Sequence, residues 1–505
     1  MKRHMQTTPT RELEQMSWIA MLMAICLIVT GVGSTARPAE EEPSDREVTY
    51  AIETALEVDW GVSPHLIDVT VEDGVVTLSG TVSNLLEQDR AVAVTARVKG
   101  VRSIIDQLDV RTVERSDDEI RSDAVRALAD DPATDSYEIE VEVNGGIVTL
   151  DGTCPSWAGK LLAADVAKGV RGVRKVHNRV TYSYEWDRSD QDIQADIEGR
   201  LKMDPYVNED LIDVTVNDGV VTLRGTVGSL AEKNYAVAKA HAAGTTRILD
   251  SDLTVSPWVQ GPMQRARKQA LVTDAEARQA VREALQHDPR VEHEGIEVEV
   301  DNGEATLRGI VDNLKARRAA GQDAENTRGI RKVNNQIRVR PPDDLTDTAI
   351  AENVRAALSR DTVVERSDIS VLVRNRRVSL IGYVDTRYEK TRAEDVASRV
   401  KGVADVDNRL AVEQPWLHTS DPEIQSAVER RFFWNPFLDS DDLEVRVDDG
   451  HVEIVGRVGT WHEYRRAVKN AFDGGARSVR SYLWVESNGE MYDRRWSESP
   501  DVWPL

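Results

Sequence analysis

The chain has 505 residues, with 88 acidic against 64 basic side chains and a formal net charge of -24. That length is enough for several domains, and the negative excess disfavours general nucleic-acid binding, leaving only local basic patches to be weighed. The two cysteines, Cys26 and Cys154, exclude a disulfide framework and a multi-cysteine zinc site. Aromatic residues are 5% of the chain, so its cores must be built mainly from Val, Ile, Leu and Ala.

At the N-terminus, Lys2, Arg3 and Arg11 precede a charge-free apolar run from Met16 to Gly33, followed by Ser34-Thr35-Ala36 and a polar, acidic stretch to Glu42. A basic start, an apolar middle and small residues at the exit predict a secretory signal peptide over 16–36, cleaved near Ala36. The same run, residues 16–33, is long enough to serve instead as an uncleaved membrane anchor. Under either reading residues 1–15 stay in the cytoplasm, and everything after residue 36 crosses to the periplasmic side. Cys26 sits inside the apolar run rather than at its end, where a lipid-modified cysteine belongs.

After a linker at 37–44, one pattern returns six times. Its clearest part is a hairpin closed by a glycine: IDVTVEDGVVTLSG to Gly80, IEVEVNGGIVTLDG to Gly152, IDVTVNDGVVTLRG to Gly225, IEVEVDNGEATLRG to Gly309, ISVLVRNRRVSLIG to Gly382 and LEVRVDDGHVEIVG to Gly456. In the second copy Ile139, Val141 and Val143 alternate with Glu140 and Glu142, giving one apolar and one wet face. Asn144-Gly145 is expected to supply the positive-φ residues of a primed turn. Comparison of return strands assigns Val76/Leu78, Val148/Leu150, Val221/Leu223, Ala305/Leu307, Val378/Leu380 and Val452/Ile454 to the core, because the alternate positions drift through charged residues.

A short amphipathic helix is predicted before each hairpin. Asp190, Asp274, Asp347 and Asp421 lie near its start, where carboxylates suit the exposed amides, and Pro132, Pro205, Pro289 and Pro436 follow its end. An Ala-rich helix follows the hairpin and stops at Gly100, Gly172, Gly329 and Gly402, and a third strand then begins. The fold class is therefore α+β: an N-terminal apolar helix, then six tandem α-β-β-α-β domains, each with two helices on one face of a three-stranded mixed sheet. The copies are placed at 45–111, 116–182, 189–255, 273–339, 346–412 and 420–485, with a linker at 256–272 and a loose tail at 486–505.

The hairpin block, its closing glycine, the Val-Lys-Gly-Val step at 98–101 and 400–403, and Asn178, Asn335 and Asn408 resemble the BON domain, the bacterial osmotic-shock-protein and nodulation domain. Copy five departs in replacing the turn glycine by Arg376, and copy three has Gly244-Thr245-Thr246 at the later step. The resemblance implies periplasmic or membrane-associated modules that bind phospholipid surfaces or envelope partners during osmotic or envelope stress, without catalysis.

The search for chemistry agrees. No H-E-x-x-H, Cys-x-x-Cys, Walker A, G-x-S-x-G or G-x-G-x-x-G motif is present, so the chain reads as non-enzymatic, with no cofactor, no metal site and no nucleic-acid partner. His287 and His293 read as ordinary loop histidines, and Cys154, in a place held by valine in the other copies, as a small core hydrophobe. Two clusters are candidates for contact with phospholipid. Arg374, Arg376 and Arg377 form the hairpin tip of copy five, and in copy six Arg430, Arg431, Phe433, Trp434 and Phe437 set cations beside aromatics, with one of Phe432 and Phe433 expected in the core. The linker cations Arg265, Arg267 and Lys268 read as a solvated helix, and Pro257-Trp258 and Pro415-Trp416 as stiff punctuation between domains. The function expected is a periplasmic array binding membrane surfaces by repeated weak contacts; the alternative is a periplasmic scaffold or chaperone for other proteins.

Overall fold

In the computed structural model the described residues are 43–182, 188–256, 272–340, 345–364, 368–412, 420–487 and 490–498. The predicted signal or anchor at 16–36, the linker cations at 265–268 and both Pro-Trp pairs lie outside them. Among the described residues no helix is long and apolar enough to cross a membrane.

Copy one shows the unit. A helix (Asp45–Glu57) leads through a one-turn 3-10 helix (Pro64–Leu66) to a hairpin (Ile67–Glu72 and Val75–Val82), a second helix (Leu85–Ala96) and a third strand (Ser103–Val110). The return strand lies in the middle of the sheet, antiparallel to the first strand and parallel to the third. The same order of helix, hairpin, helix and third strand recurs behind first helices at Asp117–Asp130, Asp190–Met203, Asp274–His287, Asp347–Arg360 and Asp421–Trp434, with the third strand in two pieces in copies two, three and four. Every return-strand pair assigned inward is fully buried, from Val76 and Leu78 to Val452 and Ile454. Each such Val or Leu removed from water contributes about 1.5–3 kcal/mol.

Polar clamps fix the hairpins to the helices. The carboxylate of Asp190 accepts the turn N–H groups of Asp218 (2.8 Å) and Gly219 (2.9 Å). Asp45, Asp117, Asp274, Asp347 and Asp421 hold their own turns in the same way. The first-turn aspartates thus do more than complement the helix dipole: each ties a helix start to a hairpin tip. At the other end of the unit, Asn178, Asn335 and Asn408 donate to helix carbonyls of Lys160, Arg317 and Lys390 at 2.7, 2.7 and 2.9 Å.

Two expectations are corrected. In copy two Asn144 pairs with Ile147 as the end of its strand, and the positive-φ residues are Gly145 (60°) and Gly146 (77°), one place later. A strand from Glu490 to Glu498 pairs antiparallel with Ser478–Ser487, so much of the tail expected to be loose is a fourth strand of copy six.

From Pro43 onward the copies form a single compact unit. Equivalent backbone bonds join them in nested pairs. The N–H of the residue before the glycine that follows the second helix donates to the last carbonyl of another copy's first helix. Lys99 reaches Trp434 at 2.9 Å, Arg171 reaches Arg360 at 2.9 Å, and Arg328 reaches Met203 at 3.0 Å, so copies pair one with six, two with five and four with three. Charges meet between helices as well: Lys168 with Asp89 (2.7 Å), Arg360 with Asp130 (2.6 Å) and Lys315 with Asp395 (2.5 Å). Burial alone would push the Asp395 carboxyl up, but Arg399, Lys315 and Arg392 overcome it and hold the group well below the usual carboxylate range. The Ala-rich second helices follow from this packing, because small side chains let neighbouring helices approach.

Candidate functional site

The hairpin tip of copy five is a two-residue turn in which Asn375 (φ 51°) and Arg376 (φ 65°) are both left-handed. Arg374 and Arg377 stand directly opposite each other at the strand ends, a like-charge pairing that opposes the hairpin. Arg377 is offset by Asp405 at 3.0 Å, and the main chain of Arg376 is anchored by Asp347 at 2.9 Å. The core of copy five is intact despite the missing glycine, with Val378 and Leu380 fully buried.

Behind this tip the outer face of the sheet carries three large apolar side chains that sequence reading passed over. Leu372 is 59% exposed, Tyr383 61% and Ile381 38%. The signal was available: other copies place Thr, Glu or Arg at the position of Leu372, and Thr, Arg or, in copy four, Ile310 at that of Tyr383. The tip cations and this apolar strip lie on one hairpin.

In copy six the aromatic cluster is divided. Phe432 is in the core at 1% exposure, and Phe433 is 44% exposed, its ring edge on Trp434 and the Lys99 ammonium 5.5 Å from its centre. Trp434 packs against the shared core of copies one and two. Phe437 sits edge-on to Tyr206 of copy three at 5.1 Å, near Tyr235 and under Arg466. Tyr206 and Phe437 follow equivalent prolines in their copies, so this contact brings like positions together. Arg430 is exposed, while Arg431 is largely covered and burial lowers its pKa. The two candidate clusters therefore differ: Arg374 and Arg377 at the copy five tip are exposed, while Trp434 and Phe437 join repeats.

Groups weighed for chemistry are accounted for by packing. Cys154 is buried against the core and burial pushes its thiol up, away from the thiolate form. His287 ends its helix 2.7 Å from Arg200 of copy three, and burial lowers its pKa to about 4, so the ring is neutral at pH 7. His241 stacks on Trp157 with ring centres 3.7 Å apart, and burial likewise lowers it to about 4. Among the described residues no group of His, Cys, Asp or Glu is arranged to hold a metal ion.

The BON domain family model matches residues 44–112, 116–184, 189–257, 273–341, 346–414 and 420–483. The osmotically-inducible protein Y of Escherichia coli K12 is 33% identical over 141 residues, which is 26% of this chain and 70% of that protein. The outer membrane lipoprotein DolP of Haemophilus influenzae is 28% identical over 131 residues, 25% of this chain and 67% of that one. Among solved structures, the C-terminal domain of CdsD, a structural protein of the type III secretion system of Chlamydia trachomatis, aligns over 42% of this chain and 100% of its own at 13% identity, with a TM-score of 0.12.

Proposed function

Because the chain belongs to the BON domain family, with six copies of the domain, we propose that it is a non-enzymatic periplasmic protein of the bacterial envelope that engages phospholipid surfaces and supports cells under osmotic or envelope stress. The basic start and apolar run before residue 36 support export, either as an inner-membrane anchor or as a cleaved signal. The relatives' names, one an osmotically inducible protein and one an outer membrane lipoprotein, support the envelope reading.

The observation that carries the membrane reading is the hairpin of copy five. Arg374, Arg376 and Arg377 are gathered at one tip of a chain whose net charge is -24, beside exposed Leu372, Ile381 and Tyr383. Cations near an anionic leaflet are worth about 1 kcal/mol each, and apolar side chains at headgroup depth add burial. Arg430 and Phe433 of copy six offer a second, smaller contact. Single contacts of this strength are weak, and tethering them in one body multiplies them.

Flotation of the chain from Arg37 onward, which lacks the apolar run, tests this directly. Co-flotation with phosphatidylglycerol-containing vesicles that is lost in 0.5 M salt or on pure phosphatidylcholine is expected on electrostatic grounds; failure to float with any vesicle would remove the proposal. A protein scaffold is the second reading, favoured by the first strand of each hairpin, one backbone edge of which pairs with no other strand among the described residues.

A further inference from the structure

Between copies four and five an open cleft of about 710 Å³ is lined by Arg308, Arg338 and Arg340 of copy four and Arg376 of copy five, with Gln336 and Ile310 among them. None of the described residues that line it is acidic, in a chain that carries 88 acidic side chains. Arg308 is held by Glu299 at 2.6 Å, and its Nε lies 3.3 Å from the Gln336 side-chain oxygen, so one guanidinium is already oriented.

Two features set these residues apart from the rest of the repeat. Arg338 pairs with Ile310 on the central strand, and the register-equivalent residues elsewhere are Asp109, Thr181, Thr254, Ala411 and Trp484. The cation there belongs to copy four alone. Arg376 adopts φ 65° where the other copies use Gly74, Gly146, Gly219, Gly303 and Gly450 at φ 71–77°. A non-glycine residue in that region is strained, and strain kept at a site with a glycine solution available points to a use for the side chain. Arg376 lines the cleft beside the arginines of copy four.

We infer that this cleft is a seat for a phosphate group, either the headgroup of an anionic lipid or a free phosphate ion, gripped by the guanidinium groups of Arg338, Arg340 and Arg376 beside the preset Arg308. Planar guanidinium forks match phosphate oxygens in pairs, and copies four and five supply them from two sides. For a lipid headgroup the inference rests on the membrane reading above; for a free ion it stands apart from it.

The test uses the chain from Arg37 onward as wild type, as R338Q/R340Q and as R376G, titrated with inorganic phosphate by calorimetry and floated with phosphatidylglycerol vesicles. Affinity should fall about fivefold for each arginine removed. R376G should also raise the melting temperature, by relieving the turn, so weaker binding cannot be ascribed to misfolding. Loss of phosphate binding in either variant, or of flotation in R338Q/R340Q, supports the seat and identifies its source. Wild-type flotation matched by R338Q/R340Q, with no phosphate uptake, overturns the seat and leaves the membrane reading standing. Phosphate uptake sensitive to the variants, without flotation, upholds the seat and removes the membrane reading. Binding to neither probe removes both.

Discussion

The closing glycine of each hairpin shows how one residue governs a copy. Gly225 lies at φ 126°, and a Cβ there would fall inside the radius of the Leu211 carbonyl oxygen. Gly80, Gly152, Gly309, Gly382 and Gly456 meet the same obstacle at their own positions. Gly225→Ala must therefore move backbone as well as adopt a disfavoured φ, and we expect it to cost about 2–4 kcal/mol in urea unfolding. A change under about 0.5 kcal/mol, the range of ordinary surface substitutions, would show that the strand can relax around it. The glycine was legible in the sequence because it recurs; the carbonyl that demands it was not, since Leu211 lies a full hairpin upstream. Cys154 was legible for the same reason as Gly225, by comparison with the valines at its position.

At the scale of elements, the alternating hairpins and amphipathic helices could be read because their periods are local. What joins them is not local. Asp190 looked like a helix-start residue, yet its carboxylate spends both oxygens on the turn of Asp218 and Gly219. Asp190→Ala leaves those two N–H groups to water and frees the helix start from the tip. The expected loss is about 1–3 kcal/mol, with faster amide exchange at Asp218 and Gly219 than at the intact tip of copy four. Unchanged exchange at both amides would mean that the turn holds itself. The shift of the copy two turn from Asn144-Gly145 to Gly145-Gly146 has a similar origin, since Asn-Gly-Gly offers two turn positions and the strand register chooses between them. The strand Glu490–Glu498 escaped notice because it has no counterpart in the other copies, and its pairing with Ser478–Ser487 extends a sheet that ends at the third strand elsewhere.

Across the whole molecule, the side-chain contacts between copies include residues that differ from copy to copy: Trp157 on His241, Tyr206 against Phe437 and His462, and Arg90 over Tyr388. A repeat is recognised by what its copies share, so comparison of copies conceals this layer. It also explains why Trp434 and Phe437 read as surface aromatics, when one packs on the core of copies one and two and the other on copy three. Pairing of copies one with six, two with five and four with three turns a tandem array into a single body. Cationic tips such as that of copy five are then held at fixed positions relative to the other copies, rather than swinging on linkers. Small-angle X-ray scattering from the chain beginning at Arg37 measures this directly. One compact body of that length has a radius of gyration of about 23 Å, which is the result expected, whereas a clearly larger value, with the broad distance distribution of domains moving on tethers, would contradict it.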